Sequence, residues 1–225
     1  MPTARGLTPA TLRDVLRVLL ADDHTIVREG LRALLASDPD LQIVAEASNG
    51  LEAVELAEQT RPDVVVMDLA MPELNGVDAT ARIRSSSPST QVVVLSMHAT
   101  AAHVRPALKA GARGYLLKGS GLSDLLRAIR SVAGGEAFFS PSVASLLLES
   151  DDEGGSSLTP REREVLQLVG EGHSSASIAE RLHLSVKTVE GHRSRLMVKL
   201  RATNVAGLVR AAVRLGLVDA SAVPE

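Results

Sequence analysis

The chain has 225 residues, of which 45% are hydrophobic, and a formal net charge of −3 at pH 7. This length is typical of one or two domains with apolar cores. The absence of cysteine excludes disulfides and thiolate metal sites and suits a reducing cytosol. The sequence has neither an apolar signal region nor a run of about 18 apolar residues. We therefore expect a soluble cytoplasmic protein with no membrane partner.

Charge is distributed unevenly along the chain. Residues 158–218 carry 10 Lys and Arg against 5 Glu, whereas residues 1–157 carry 14 Lys and Arg against 20 Asp and Glu. A basic C-terminal part predicts an anionic partner, and an acidic N-terminal part is typical of a site that collects carboxylates. The sequence therefore predicts two parts with different tasks.

The N-terminal part begins with residues 1–15, a candidate disordered extension, because its prolines and glycine oppose regular structure. Beyond it, short apolar runs alternate with helical patterns over residues 16–133. Strands separated by helices imply a parallel α/β sheet with right-handed crossovers. The strands are predicted at 17–21, 43–47, 64–67, 92–96 and 114–117, and the helices at 25–35, 51–58, 77–84, 104–110 and 122–133.

Polar side chains follow four of these apolar runs. They are Asp22 and Asp23, Asp68, Ser96 and Lys118. The carboxyl ends of parallel strands are where open α/β sheets bind ligands. A carboxylate that attacks a phosphoryl donor needs a divalent cation and a fixed ammonium, because both reactants are anionic. Asp22 and Asp23 can hold Mg²⁺. Lys118 can supply the ammonium, and Ser96 can donate a hydrogen bond to a phosphoryl oxygen.

Four motifs at these strand ends carry a resemblance. They are Ala-Asp-Asp-His at 21–24, Met-Asp-Leu-Ala-Met-Pro at 67–72, Leu-Ser-Met-His at 95–98 and Gly-Tyr-Leu-Leu-Lys at 114–118. Together they resemble the receiver domain of bacterial two-component response regulators, over residues 17–133. The resemblance implies a flavodoxin-like, five-stranded parallel sheet with strand order 2-1-3-4-5.

The resemblance also implies a role for each residue of the pocket. Asp68 would be the phosphoacceptor. Ser96 would be the switch hydroxyl, Tyr115 the switch aromatic and Lys118 the phosphate-binding lysine. The implied cofactor is Mg²⁺ or Mn²⁺, and its ligands would be Asp22, Asp23, Asp68 and the backbone carbonyl of Ala70.

Residues 134–157 differ in composition from the segments on either side. Their Gly-Gly pair and the acidic run 151–157 are typical of a flexible linker. Residues 142–149 contain enough leucine for one short helix within it. Phe138-Phe139 is expected to pack against a domain surface, because an exposed aromatic pair would favour aggregation.

Residues 158–218 are predicted to contain four helices. Thr159 and Glu162 have the spacing of a capping box at the start of the first one. A tight connection separates the second helix from the third, which predicts a helix-turn-helix unit, although a purely structural helical hairpin has a similar pattern. The four helices are predicted at 162–170, 175–182, 186–200 and 204–215.

Three motifs in this part resemble the LuxR-type DNA-binding domain. They are Leu-Thr-Pro-Arg-Glu-Arg-Glu-Val-Leu at 158–166, Ile-Ala-Glu-Arg-Leu at 178–182 and Leu-Ser-Val-Lys-Thr-Val-Glu-Gly-His at 184–192. A receiver followed by this small all-α domain is the architecture of the NarL/FixJ family of response regulators. Residues 219–225 are then a tail.

The third predicted helix of this domain would be the recognition helix. Val189, Leu196 and Leu200 recur at helical spacing and are expected to pack on the domain core, so the opposite side should face DNA. His192 is interpreted as a packed or phosphate-bonding histidine, because no pattern of further zinc ligands surrounds it. The predicted DNA-binding residues are Lys187, Thr188, Glu190, Gly191, His192, Arg193, Ser194, Arg195 and Lys199.

The resemblance implies partners and a mode of control. A sensor histidine kinase would phosphorylate Asp68. Phosphorylation would release a recognition helix that the resting receiver covers, and would favour a homodimer. The dimer would bind an inverted repeat in double-stranded promoter DNA and regulate transcription. RNA polymerase is a further candidate partner.

Three features depart from the family pattern. Pro106 lies inside the predicted fourth helix, where it removes a backbone hydrogen bond, so that helix should start late, near Val104, or be kinked. Gly119 stands where many receivers have proline after the lysine. Ala176-Ser177 replaces a commonly charged stretch, which removes a candidate phosphate contact.

Two other functions fit parts of the pattern. One is a DNA-binding regulator whose receiver is a phosphate-independent dimerisation module, which an intact pocket does not exclude. The other is an aspartyl-phosphate phosphatase of the haloacid dehalogenase class. Such phosphatases have a second acid two residues after the nucleophile, where this chain has Ala70, so no general acid is evident. The sequence therefore favours a regulator that is not an enzyme.

Overall fold

The computed structural model describes residues 15–148 and 158–218. The first range forms a parallel sheet with helices, and the second forms a group of packed helices. The acidic run 151–157, the predicted tail and nearly all of the predicted N-terminal extension lie outside the described residues. Within the described ranges, no helix has the length and apolar character that a membrane span requires.

The sheet has six strands in the order β2-β1-β3-β4-β5-β6, and all neighbouring pairs are parallel. The predicted order of the first five strands is confirmed, but the predicted strand number was wrong. The N–H of Phe138 donates to the carbonyl of Arg113 (3.0 Å), which adds a two-residue edge strand. The strands are β1 (Leu16–Ala21), β2 (Leu41–Ala47), β3 (Val64–Met67), β4 (Gln91–Ser96), β5 (Gly114–Leu117) and β6 (Phe138–Phe139).

Helices cover both faces of this sheet. They are α1 (Thr25–Leu35), α2 (Gly50–Thr60), α3 (Gly76–Ser86), α4 (Ala101–Lys109), α5 (Leu122–Ala133) and α6 (Pro141–Leu148). Alternate residues of a strand point to opposite faces. Val18 and Leu20 accordingly pack in one core with Ile129 of α5, whereas Leu19 packs in another with Ala53 of α2. Burial on both faces explains why the strands read as continuous apolar runs.

The helix that contains Pro106 begins earlier than predicted. The N–H of Val104 donates to the carbonyl of Thr100 (2.9 Å), so the first turn forms before the proline. After it, the N–H of Ala110 donates to the carbonyl of Pro106 (2.9 Å). The expected late start near Val104 was therefore wrong. The proline removes only the bond that its own nitrogen would have donated.

Part of the predicted linker belongs to the first domain. Val143 of α6 is fully buried and packs in a cluster with Tyr115 of β5 and Val104 of α4. Phe139 of β6 packs against the same cluster, and Phe138 against the core beneath α5. The aromatic pair thus packs against a domain surface as predicted. These residues join the first domain because burial of their apolar side chains outweighs the flexible composition of the residues around them.

Residues 158–218 fold as four helices around their own core. The predicted capping box is confirmed, because the side chain of Thr159 accepts from the N–H of Glu162 and Glu162 accepts in return from Thr159. Val189 and Leu196 are fully buried in a cluster with Leu166, as the helical spacing predicts. The helices are α7 (Pro160–Gly170), α8 (Ser175–Arg181), α9 (Val186–Lys199) and α10 (Val205–Arg214).

The loop between β3 and α3 is held by a close backbone approach at Gly76. Its N–H donates to the carbonyl of Leu69 (2.8 Å). A Cβ at this position would lie 1.9 Å from the carbonyl oxygen of Asp68 and 2.8 Å from the carbonyl carbon. Only glycine fits against this backbone without a shift of the loop that follows Asp68.

We predict that Gly76→Ala lowers the free energy of unfolding by roughly 3 kcal/mol, because the added methyl group meets backbone that cannot rotate away. Urea unfolding of the full chain measures this. Gly30→Ala is the matched control. It lies within α1 with nothing within 4 Å of the added Cβ, and should raise stability by up to about 1 kcal/mol. Equal stability of Gly76→Ala and wild type would contradict the close approach.

Candidate functional site

Asp68 lies directly after β3, beside the end of β1. Its N–H donates to the carbonyl of Ala21 (2.8 Å), the residue that precedes Asp22. The N–H of Asp22 donates in turn to the carbonyl of Ala47 in β2 (3.1 Å). Since β1 lies between β2 and β3, the two carboxylates come from neighbouring strand ends. The strand order therefore brings Asp22 and Asp68 together.

Lys118 joins these two carboxylates. Its Nζ lies 2.7 Å from Asp22 Oδ2 and 2.7 Å from Asp68 Oδ2. The side chains of Lys118, Asp22 and Asp68 are only 9%, 3% and 5% exposed. Buried charges need partners because desolvation of an isolated ion is costly. One ammonium thus permits two carboxylates to share a pocket.

Burial and charge together shift the pKa values of this group. Burial raises the pKa of Asp68 to about 6, against the lowering effect of Lys118. Burial alone would lower the pKa of Lys118, but the carboxylates of Asp68 and Asp22 outweigh it and raise that pKa. Asp68 is thus a desolvated carboxylate whose charge depends on the ammonium beside it.

The pocket also has the ligands of a cation site. Asp22, Asp23, His24 and Asp68 can each offer one ligand atom, and these atoms lie within 4.8 Å of one another. Asp23 Oδ1 is buried and accepts no hydrogen bond, with His24 Nδ1 2.8 Å away, so it can accept a cation. Carboxylate oxygens suit Mg²⁺. The three aspartates therefore fit the predicted metal, and Ala70 follows in the loop that leads to α3.

Ser96 and Tyr115 lie on the next two strands. Both are buried. The Oγ of Ser96 accepts from the N–H of His98 (3.2 Å), and the hydroxyl of Tyr115 donates to the carbonyl of His98 (2.6 Å). Burial raises the pKa of Tyr115 to about 12, so its hydroxyl stays protonated. The predicted switch residues thus meet at the loop between β4 and α4. The backbone N–H of Lys118 donates to the carbonyl of Ser96 (2.8 Å), which ties the lysine to the same strand.

The outer face of α9 is exposed. This holds for seven of the predicted DNA-binding residues: Lys187, Thr188, Glu190, Gly191, Ser194, Arg195 and Lys199. His192 and Arg193 are partly buried, and the ammonium of Lys199 is paired within the domain. Arg193 donates to Ser175 Oγ of α8 (2.9 Å), and Lys199 Nζ lies 2.6 Å from Glu162 Oε2 of α7. His192 is half-buried, and burial lowers its pKa.

These pairs change the interpretation of two basic residues. Arg193 and Lys199 were predicted to contact DNA, yet each bonds a neighbouring helix of its own domain. Their positions on α9 lie beside the core-facing residues, which is why the pairing is geometrically favoured. Lys187 and Arg195 remain exposed cations on the face that is expected to meet DNA.

The two domains meet through α7, a contact that the sequence did not predict. Gln167 is fully buried, and its Oε1 accepts from the backbone N–H of Asn75 (3.0 Å) and from Asn75 Nδ2 (2.9 Å). Its Nε2 donates to the carbonyl of Met71 (2.9 Å). Arg163 Nε lies 2.9 Å from Asp78 Oδ1. The sequence feature that could have indicated this contact is the polar Gln167 within the apolar pattern of α7.

Further contacts enlarge this surface. Arg82 of α3 pairs with Glu164 of α7. At the other end, Gly216 lies so close to α4 that an added Cβ would be 2.1 Å from His103 Nε2. The receiver thus contacts α7 and the segment after α10. The expectation that it covers the recognition helix was wrong for this arrangement, since the outer face of α9 is exposed.

Comparison with protein families identifies both parts. The response regulator receiver domain matches residues 18–130, and the luxR family of bacterial regulatory proteins matches residues 156–212. The chain belongs to the response regulators with a LuxR-type DNA-binding domain. The predicted family is confirmed, and the response regulator's helix-turn-helix is a DNA-binding unit rather than a structural hairpin.

Individual relatives extend over nearly the whole response regulator. It is 40% identical over 210 residues to the transcriptional regulatory protein MctR of Rhizobium johnstonii, with 93% of this chain and 98% of MctR covered. It is 37% identical to the response regulator GacA of Pseudomonas aeruginosa, with 92% and 100% covered. The structure of Salmonella enterica serovar Typhimurium RcsB bound to the rprA promoter in the presence of BeF₃⁻ is 28% identical, covers 87% of this chain and 96% of that chain, and has a TM-score of 0.65.

We predict that Asp68→Asn stabilises the metal-free protein at neutral pH. The folded-state pKa of Asp68, about 6, exceeds the ordinary value of 3.8. The folded state therefore binds this proton more tightly, and stability falls as pH rises from about 4 to 6, by about 3 kcal/mol at most. An amide avoids that cost but loses part of the Lys118 contact. We expect a gain of about 1–2 kcal/mol at pH 7.5 that shrinks toward pH 5.

Urea unfolding in EDTA at both pH values checks this. Asp124→Asn is the control, because this carboxylate is exposed at the start of α5 and should give little pH-dependent difference. A gain for Asp68→Asn that did not change with pH would contradict a titrating Asp68.

Proposed function

We propose that this response regulator is phosphorylated on Asp68 by a sensor histidine kinase or by a small phosphodonor, and that the phosphoryl group controls DNA binding. The observation that carries the proposal is the buried Lys118 that joins Asp22 and Asp68. Lys118, together with a cation that the aspartates would hold, would offset the extra charge of a phosphoryl group. Because its partner is chromosomal DNA, we propose that the protein acts in the cytoplasm.

The transfer is a simple exchange of bonds. An oxygen of Asp68 forms a bond to phosphorus as the bond from phosphorus to the donor nitrogen or oxygen breaks, and the leaving group takes the electron pair. Asp22, Asp23, Asp68 and the carbonyl of Ala70 would hold Mg²⁺, which would supply positive charge to the transferring group. Lys118 stays beside the new phosphoryl oxygens, and Ser96 can donate its hydroxyl to one of them.

Two observations weigh against the alternatives. Ala70 offers no carboxylic acid to protonate a leaving group, so phosphatase turnover lacks its general acid. A phosphate-independent dimerisation module would not need an ammonium buried between two carboxylates, which is expensive to desolvate. Regulation through Asp68 therefore fits the pocket better.

Treatment of the full chain with acetyl phosphate and Mg²⁺ tests the proposal. We predict that intact mass rises by one phosphoryl group in wild type and not in Asp68→Asn, and that EDTA prevents the gain. Ser120→Ala, in the turn after Lys118, is a control that should label normally. Labelling that persists in Asp68→Asn would refute the assignment of Asp68.

The contact between the domains offers a route for the signal. The loop that follows Asp68 begins with Leu69, whose N–H donates to Asp68 Oδ1 (2.7 Å). The same loop continues to Met71 and Asn75, which bond Gln167 of α7. A phosphoryl group on Asp68 adds close to two negative charges. It also changes the carboxylate that accepts a hydrogen bond from the N–H of Leu69. We propose that the loop then shifts, weakens the bonds to Gln167 and frees the DNA-binding domain to dimerise on DNA.

Gln167→Ala tests this route. Loss of the amide leaves the buried N–H of Asn75 without its acceptor, which disfavours the docked arrangement. We predict that the unphosphorylated variant binds promoter DNA about 5- to 100-fold more tightly than unphosphorylated wild type. Gln59→Ala, on the exposed end of α2, is the control and should bind like wild type. Unchanged affinity of Gln167→Ala would refute the coupling through Gln167.

We propose that α9 enters the major groove of each half of an inverted repeat. Glu190 stands on its exposed face between two exposed cations, Lys187 and Arg195. A carboxylate near phosphates costs affinity unless it accepts from a cytosine amino group. Gly191 beside it has nothing within 4 Å of an added Cβ, so the DNA backbone can approach closely.

We predict that Glu190→Gln relaxes the preference at one base pair by roughly 1–3 kcal/mol, whereas Arg195→Ala weakens binding to all sequences alike and flattens the salt dependence. Binding to every single-base variant of the half-site measures both effects. An unchanged order of preference in Glu190→Gln would show that Glu190 does not read a base.

A further inference from the structure

His24 lies at the edge of the carboxylate pocket, directly before α1. It occupies the N-cap position of α1, yet its side chain makes no capping hydrogen bond. Its backbone N–H donates to Asp22 Oδ1 (2.9 Å), which fixes the residue against the pocket. The imidazole is about half exposed, so it can turn toward a bound ion without disturbing the core.

The imidazole nitrogen of His24 lies beside two carboxylate oxygens of the pocket. His24 Nδ1 lies 2.8 Å from Asp23 Oδ1 and 3.4 Å from Asp22 Oδ1. Asp23 Oδ1 is buried and accepts no hydrogen bond, so the short approach of these two atoms is an ion pair if the imidazole is protonated, and otherwise leaves both atoms available to one cation. Neighbouring ligands of an ion with bonds of about 2.1 Å are separated by roughly 3 Å in an octahedron. The two atoms already have that separation.

We propose that His24 is a nitrogen ligand of this site, so that the pocket binds Mn²⁺ and later first-row transition ions in preference to Mg²⁺. Mg²⁺ takes oxygen ligands and keeps its waters, whereas imidazole favours the first-row transition ions. The inference rests on the proposed cation site at Asp22, Asp23 and Asp68, and adds a fourth protein side chain to it. The metal supplied to the cell would then influence phosphorylation of Asp68.

Pulsed EPR of Mn²⁺ bound to the full chain tests this directly. Wild type should show ¹⁴N coupling from a coordinated imidazole, and His24→Asn should lose it while still binding Mn²⁺ through the carboxylates. The preference for Mn²⁺ over Mg²⁺, measured by competition, should fall on the order of tenfold in His24→Asn. His183→Asn is the matched control, because His183 is exposed in the other domain at a φ of 52°, which asparagine tolerates.

The outcomes separate the two proposals. Mn²⁺ that binds wild type without ¹⁴N coupling, and with the same preference as His24→Asn, would overturn the role of His24 and leave the carboxylate site standing. Absence of Mn²⁺ binding to wild type, or equal binding to Asp23→Asn, would overturn the cation site itself. Circular dichroism of each variant shows whether the fold is retained. The variant Asp68→Asn keeps His24, so any Mn²⁺ that it binds should still show ¹⁴N coupling.

Discussion

The contact of Lys118 with Asp22 and Asp68 is the interaction on which the receiver depends. Two carboxylates at neighbouring strand ends repel each other, and burial raises the cost of their charge. The ammonium offsets both effects, and the strand order places all three groups within bonding distance. Any event that changes the charge of Asp68 must therefore redistribute the partners of Lys118.

The loop after Asp68 connects this charge to the second domain. Gly76 fixes the return of the loop against the backbone of Asp68, so the loop cannot move without changing its own hydrogen bonds. Gln167 of α7 forms hydrogen bonds to that loop through the backbone N–H of Asn75 and the carbonyl of Met71. Since backbone groups that lose their partner in a buried interface are costly, small shifts near Asp68 can change how the domains dock.

The DNA-binding domain divides its basic residues between two tasks. Arg193 and Lys199 hold α9 against α8 and α7, whereas Lys187 and Arg195 stay exposed. Internal pairing orients the recognition helix, and the exposed face keeps its polar side chains available. The receiver docks on α7 rather than on α9, so control of DNA binding would act through the position and dimerisation of the domain rather than by covering α9.

Local sequence determined the strands, the caps and the members of the pocket. Apolar runs ended by Asp22, Asp68 and Ser96 specify buried strands with polar ends, and Thr159 with Glu162 specifies a helix start, because these patterns depend only on near neighbours. Tertiary structure decided what depends on distant partners. The edge strand at Phe138-Phe139, the burial of Gln167 against the receiver and the engagement of Lys199 follow from which surfaces meet. No local periodicity encodes that meeting, since its energy comes from burial and pairing across the assembled fold.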